Sequence, residues 1–364
     1  MTNSHLTFQI AVLPGDGIGP DVIAEGVKAL RAVEVRLPGV GFELTEFSVG
    51  AGEYLNGGDP LPPATFEKVK QFDAILLGAM GLPGVRWPNG VEMTPQIDLR
   101  ERLDLFCGLR PVLLYHANDT PLKKYGAGEI DLLIVRESTE GLFSSRRDKI
   151  PVGASEATET MRITRRTSER LFRAAFREAR KRRGLVSLVD KANVLPSMAW
   201  FRGIFEEMSR EFPDLRTETV YVDAAALDLV RQPHRFDVMV TENMFGDILS
   251  DLAGGLVGGM GMAPSADIGD DHAVFQPAHG SAPDIAGQGI ANPTATILSV
   301  AMMLDWLDHE ETKRGAAMIR RAVAEVFRAP SSRTRDLNGS LSTEQMGDLI
   351  AARISGVSQG SDRR

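Results

Sequence analysis

With a single cysteine, Cys107, the chain forms no disulfide of its own. The simplest reading of that residue is a small buried hydrophobe, and a reducing cytoplasm is the expected setting. Aromatic residues are scarce at 6%, which leaves the core to Leu, Ile, Val, Ala and Met. Positive charge is in deficit, since 41 Lys and Arg against 49 Asp and Glu give a net charge of −8. Binding to a nucleic-acid backbone runs on the opposite excess, so no nucleic-acid partner is expected. A small anion held in a local basic pocket is still allowed. Met1 to Gly17 has neither a basic leader nor a small-residue cleavage site, so no secretory signal is read there. The uncharged stretch Ile285 to Leu304 is long enough to test as a membrane span. It fails because Gln288, Asn292, Pro293, Thr294, Thr296 and Ser299 interrupt it, and it reads as a loop followed by a buried helix. Repeats and low-complexity segments are lacking too.

What is there alternates. Phe8 to Leu13 suits a strand, Pro14-Gly15-Asp16-Gly17-Ile18-Gly19-Pro20 is turn chemistry, and Val22, Ile23, Gly26, Val27 and Leu30 recur at helical spacing. Further strands are predicted at Phe42 to Val49, Ala74 to Gly78, Asp131 to Val135, Val186 to Val189 and Phe236 to Thr241. Helices are predicted at Thr164 to Arg183, Thr294 to Leu307 and Gly315 to Phe327. The pattern predicts an α/β architecture with a largely parallel sheet. No linker splits the chain, so its domains are expected to be discontinuous. The basic faces of the Thr164 to Arg183 helix read as solvated, and the polar tail from Val357 onward as frayed.

Several constellations carry chemistry. The glycines at 15, 17 and 19 sit where a dinucleotide fingerprint would, but Pro20 occupies the place of its third glycine. They read as a tight turn with proline at the helix start. Arg100, Arg110 and Arg136 each pair with an acid or hold an anion, because an unpaired buried guanidinium is costly. Several converging forks suit a di- or tricarboxylic acid. Pro111 makes Arg110 the end of a strand or turn. Asp247 and Asp251 are four apart on a predicted helix, where like charges repel. A hard divalent cation offsets that repulsion, and Asp223, read as the end of a strand, is a candidate third ligand. Lys191 follows a buried strand and is a candidate proton acceptor if partly desolvated. Asn292 and Pro293 form a helix start of the kind that binds anions. Asp284 suits ribose hydroxyls and repels a 2′-phosphate, the usual physics of NAD over NADP.

Together these segments make the chain resemble the isocitrate/3-isopropylmalate dehydrogenase family of metal-dependent, β-decarboxylating dehydrogenases. The resemblance runs from Leu13-Pro14-Gly15-Asp16-Gly17 to Arg335-Asp336-Leu337. It is most specific in Asp190-Lys191-Ala192-Asn193, in Glu242-Asn243 through Asp251, and in His279-Gly280-Ser281-Ala282-Pro283-Asp284-Ile285. It implies two discontinuous α/β domains of the isopropylmalate dehydrogenase-like fold, distinct from a standard Rossmann fold. Residues 1–104 with 258–364 would bind the cofactor, and 105–257 would carry dimerisation, metal and substrate. It further implies that Arg100, Arg110 and Arg136 clamp substrate carboxylates and that Asp223, Asp247 and Asp251 hold Mg²⁺ or Mn²⁺. Asp223 and Lys191, a general base or part of its relay, would cross from the second subunit of a homodimer with shared sites. Asn193 would lie near the nicotinamide, and His279, Gly280, Ser281, Ala282, Pro283, Asp284, Ile285 and Asn292 would bind the adenine end of NAD. The reaction implied is NAD-dependent oxidative decarboxylation of a substituted (2R)-malate of the isopropylmalate type.

Two positions depart from the family pattern. Phe143 stands where a tyrosine is usual, and Gln276 where a glutamate is usual near the cofactor. Substrate choice is read from Thr94, Gln96 and Ile97, which make a mixed pocket. Isocitrate, homoisocitrate, D-malate and tartrate are therefore alternative substrates. A catalytically weakened regulatory subunit and a plain anion-binding protein are the non-enzymatic alternatives.

Overall fold

The computed structural model describes residues 6–88 and 90–356; the tail expected to fray lies outside them. In chain order the first elements are β1 (Leu6–Gly15), α1 (Gly19–Arg36), β2 (Val40–Glu46), α2 (Ala51–Gly57), α3 (Pro63–Val69), β3 (Ala74–Ala79), α4 (Pro95–Arg102) and β4 (Cys107–Leu113). The middle comprises β5 (Asp131–Glu137), α5 (Arg165–Arg180), β6 (Leu185–Asp190), α6 (Pro196–Ser209), β7 (Arg216–Tyr221), α7 (Val222–Arg231), β8 (Val238–Thr241) and α8 (Asn243–Gly255). β9 (Pro264–Ile268), β10 (Ala273–Pro277), α9 (Thr294–Trp306), α10 (Glu310–Phe327) and α11 (Thr343–Ser355) complete it. No helix among the described residues is long and apolar enough to cross a membrane.

Among the described residues the ten strands join one sheet, in the order β2-β1-β3-β10-β9-β4-β5-β8-β6-β7. The flanks are parallel, as the alternation of strands and helices predicts. The centre is antiparallel, at the pairs β10–β9, β9–β4 and β4–β5. These three reversals make the two parallel flanks run in opposite directions.

Central register decides which side chains share a face. Gly108 of β4 pairs with Arg136 of β5 on one side and Asp267 of β9 on the other. Asp267 in turn pairs with Val274 of β10. Because side chains alternate along a strand, Arg110 and Gln276, each two residues on, emerge on the same face as Arg136 and Asp267. Beyond this row the face is covered from two sides. Leu99 of α4 and Leu103 just after it pack with Val274 and Leu77, and Leu249 and Ala253 of α8 pack with Ile134. The gap between α4 and α8 is the central cleft. Buried members of the apolar clusters built from residues 10–105 and 262–354 do not overlap those built from residues 106–257.

Several sequence expectations are corrected. β2 ends at Glu46 rather than Val49, since the N–H groups of Ala51 and Gly52 bond to Asp16 and draw the chain off the sheet. Arg110 lies within β4, not at its end. Pro111 is tolerated because the β9 pairing stops at Leu109, leaving β4 with one partner there. Asp223 is in the first turn of α7, beyond β7. α10 begins at Glu310 instead of Gly315, because a polar first turn is closed by a His309–Thr312 capping box that apolar periodicity does not reveal. At α9 the cap position is Pro293, one residue later than expected. The Asn292 Oδ1 still accepts from the Thr294 N–H at 3.1 Å.

The glycine turn after β1 is a loop anchor. The Asp16 carboxylate accepts from the backbone N–H groups of Ala51, Gly52 and Gly81, each at 2.8 Å. Gly17, at φ +59°, packs so closely that a Cβ would lie 1.9 Å from the Ser281 carbonyl oxygen. The basic helix α5 buries Leu171, Phe172, Ala175, Phe176 and Ala179. Its outer arginines are engaged by acids, among them Arg170 with Asp104 and Asp270, and Arg180 with Asp214.

Candidate active site

The central cleft has a volume of about 200 Å³, and its lining includes Gln96, Ile97, Arg100, Arg110, Arg136, Phe143, Asp247, Gln276 and His279. Its floor is the sheet row just described. α4 supplies Arg100, α8 supplies Asp247, and the 3₁₀ turn Leu142–Ser145 supplies Phe143.

The three arginines predicted to act together do converge, and all are buried. Arg136 is held hardest. Its Nε and Nη2 donate to the Asn243 Oδ1 at 3.1 and 2.7 Å, and its Nη1 pairs with Asp247. The Asn243 amide in turn donates to the Glu140 carbonyl at 3.0 Å, so its oxygen is fixed toward the guanidinium. Burial, and then the neighbouring Arg100, push the Arg136 pKa down to about 10. Arg110 is lowered too, first by burial. Its Nε is buried without a hydrogen-bond partner. A trio of guanidiniums held this close lacks anionic charge, which a carboxylate ligand supplies.

Sequence reasoning missed Asp267. It is fully buried, its Oδ2 lies 3.0 Å from the Arg100 Nε, and the Gln276 Nε2 donates to the same oxygen at 2.7 Å. Burial opposes its ionisation, but Arg100, Arg110 and Arg136 outweigh burial and hold the carboxyl below its usual range. Nothing in the run Ser265-Ala266-Asp267-Ile268 advertises this role, which depends on a strand pairing remote in sequence. Asn243 belonged to a recognised segment, but its contact with Arg136 was not foreseen.

Asp247 and Asp251 occupy one side of α8, one turn apart. The Asp251 carboxyl is raised, first by partial desolvation and then by the charge of Asp247. The second cause is the repulsion expected of like charges one helical turn apart. Asp223 is elsewhere, exposed, with its Oδ1 accepting from the Lys191 Nζ at 2.7 Å. Among the described residues no three His, Cys, Asp or Glu side chains gather to hold a metal ion. Lys191, Asn193 and Asp223 are not among the residues lining the cleft. Thr94 is not either. It borders an adjoining hollow of about 540 Å³ that shares Ile97 and Phe143 with the cleft.

The loop after β10 links two hollows. His279 borders both the cleft and a groove of about 500 Å³ lined also by Ile18, Asp284, Ile285, Ala291 and Asn292. Its Nδ1 lies 2.9 Å from the Gly280 carbonyl, and burial lowers its pKa, favouring neutral imidazole. Ser281 is tied down through its Oγ to the Gly81 carbonyl, and its own carbonyl accepts from the Ile18 N–H at 2.8 Å. Ala282 takes a left-handed φ of 36° next to it. Gly280 and Pro283 complete the loop, with Asp284 exposed at the groove.

α8 approaches the arginine through Gly246. A Cβ there would lie 2.6 Å from the Cγ and 2.7 Å from the Cβ of Arg136. Neither atom can retreat, because the guanidinium is fixed at its far end. Gly246→Ala is therefore expected to destabilise the protein by about 1–3 kcal/mol and to weaken carboxylate binding with it. Thermal unfolding and KM measured together check this; an unchanged melting temperature would refute the close contact.

Comparison with known proteins agrees with this geometry. The family model described as isocitrate/isopropylmalate dehydrogenase matches residues 9–350. The 3-isopropylmalate dehydrogenase of Moorella thermoacetica is 46% identical over 356 residues, covering 94% of this chain and 98% of that one. The protein of the same name from Carboxydothermus hydrogenoformans is 43% identical, covering 96% and 95%. Among solved structures, isocitrate dehydrogenase from Methylococcus capsulatus superposes with a TM-score of 0.86 at 38% identity, covering 96% of this chain and 99% of that one. A β-decarboxylating dehydrogenase from Thermococcus kodakarensis gives a TM-score of 0.79 at 36% identity, with 96% of each chain covered.

Proposed function

The chain belongs to the isocitrate/isopropylmalate dehydrogenase family, and from that premise we propose that it oxidises and decarboxylates a substituted (2R)-malate of the isopropylmalate type, using NAD⁺ and Mg²⁺ or Mn²⁺. The observation that carries this reading is the convergence of Arg100, Arg110 and Arg136 beside Asp247 in one cleft. Arg100, Arg110 and Arg136 bind the two malate carboxylates and fix the C2 carbon against the loop at His279. Asp247 and Asp251 fit a hard divalent cation, being like-charged carboxylates one helical turn apart of which Asp251 is held above its usual range. The groove beside His279, Asp284, Ile285 and Asn292 fits an adenosine, with apolar walls and an acid at its mouth. A cation held by Asp247 and Asp251 would supply Lewis acidity toward the C2 oxygen, and NAD⁺ bound along the His279 to Ile285 loop would supply the hydride acceptor. Lys191, once its ammonium has given up the proton that it donates to Asp223 in the single chain, would take the proton of the C2 hydroxyl. Phe143 has no proton to return to carbon. Its ring centroid lies 5.5 Å from the Arg136 guanidinium carbon, and the proton for carbon comes from solvent or another group.

Lys191 and Asp223 reach a cleft only as the contribution of a second copy in a homodimer. Supporting this, Val194 and Tyr221 beside these two residues, Leu227 and Val230 of α7, and Ile248 of α8 are exposed apolar side chains. The segregation of apolar clusters supports a division into 1–104 with 258–364 and 105–257, except that Leu105 packs with the first group. The one buried cysteine supports a cytoplasmic setting.

The test is a panel assay with isopropylmalate, isocitrate, homoisocitrate, D-malate and tartrate, with and without a chelator. Substrate-dependent NADH formation with equal CO₂, lost on chelation, is expected with isopropylmalate. No NADH from any member ends the proposal. A second reading, a substrate with a hydroxylated substituent such as tartrate, is favoured by Gln96, whose buried Oε1 has no hydrogen-bond partner. The same panel separates the two.

A further inference from the structure

We propose that Asp267, held by the Gln276 amide, is the fixed counter-ion of the arginine trio and restricts the cleft to substrates with two carboxylates. This rests on the substrate class proposed above and adds what sets its charge.

Three guanidiniums place three positive charges on one face of the sheet. Asp267 lies in the same row, fully buried, with Arg100 at 3.0 Å. Its other oxygen lies 3.3 Å from the Ser138 hydroxyl, which donates to it. One positive charge is thus matched inside the protein and two are left for a ligand. Asp247 and Asp251 do not change this balance when a divalent cation offsets them. A malate dianion closes the account, whereas a third carboxylate would enter a site with no cation to spare, and an unmatched buried charge is heavily penalised. The other cations at hand are already engaged: Lys191 is paired with Asp223, and Arg146 and Arg147 border the adjoining hollow. Arg146 pairs with Asp98 and Glu101 at 2.5 and 2.8 Å, and Arg147 pairs with the same two acids at 2.7 and 2.9 Å.

Gln276 now has a physical reason. Its amide nitrogen lies 2.7 Å from the Asp267 Oδ2. A glutamate there would bring two carboxylates together in a buried site. The carboxylate is supplied from β9, one strand across, and position 276 carries the neutral donor that holds it. Asp267 is a positioning and charge-setting residue, acting on substrate through the arginines.

Calorimetric binding of D-malate and of isocitrate to the Mn²⁺-loaded full-length protein tests this. Asp267→Asn, nearly isosteric, is expected to shift the ratio of the two affinities toward the tricarboxylate by about fivefold or more. A smaller shift overturns the proposal. Gln276→Glu alone is expected to weaken D-malate binding by about tenfold. Combined with Asp267→Asn, which moves the carboxylate across the strand pair, it is expected to restore most of that loss. If Gln276→Glu is equally harmful in both backgrounds, the charge account is wrong, and a merely structural role for Asp267 would give that result. Binding is read without turnover. A protein that shows these shifts but forms no NADH would fault the reaction proposed above while supporting the counter-ion.

Discussion

A hybrid dimer of two inactive subunits, one carrying Lys191→Met and the other Asp251→Asn, is expected to be active. Within one chain Lys191 and Asp223 bond to each other at 2.7 Å beyond the carboxyl ends of β6 and β7. Asp247 and the arginines line a different place, the cleft between α4 and α8. If each cleft takes its lysine and third acid from the partner, the hybrid has one site with both defects and one with none. Each homodimer should lose at least about a thousandfold in kcat, since one lacks the proton acceptor and the other a metal ligand. The isolated hybrid should recover about half the wild-type rate, as two-fold symmetry requires. Separating hybrids by two affinity tags and assaying them directly checks this. A hybrid as dead as its parents would mean that the sites are not shared, and the proposed role of Lys191 would go with it.

Arg136→Met is expected to lower kcat/KM more than a hundredfold and to lower the melting temperature as well. The guanidinium is only 2% exposed and satisfies Asn243 and Asp247 together. Breaking a buried charged network by removing one member costs about 3–5 kcal/mol. Here the deletion removes a substrate ligand and leaves Asp267 and Asp247 short of a cation. Arg136→Lys keeps the charge but loses the planar fork, so it should rescue stability better than activity. Steady-state kinetics with thermal unfolding of both variants decides the matter. If the methionine variant stays within tenfold of wild type, the trio is a structural ion cluster and not a carboxylate clamp.

Much of the site was legible because its signals are local. The spacing of Asp247 and Asp251 places two like charges on one side of a helix, and α8 carries them so. Lys191 stands directly after a run of buried apolar residues. The loop from His279 to Ile285 is punctuated by glycine and proline. Helical periods of 3.6 and strand periods of two are written in consecutive residues, so α5 and the strands around it could be found without a partner. Failures came where the deciding contact was remote. Pro111 signals a strand end locally, yet β4 continues through it because its β9 neighbour has already stopped. The polar first turn of α10 carries no apolar rhythm, and its histidine cap is seen only once folded.

The amino-acid order alone determined the α/β class, the helix carrying the acid pair, the strand ends and loops that present the chemistry, and the family to which the chain belongs. These follow from interactions within a turn or two of the backbone, and each is encoded where it occurs. Tertiary structure alone decided that three arginines from α4, β4 and β5 share one cleft, that Asp267 faces them with Gln276 holding it, and that Lys191 with Asp223 stands apart from them in the single chain. The first two depend on the antiparallel centre of the sheet, where β4 meets β5 on one side and the sequence-remote β9 on the other, and the third on the parallel pair of β6 and β7. These pairings are set by packing on both faces of the sheet, which no local pattern carries.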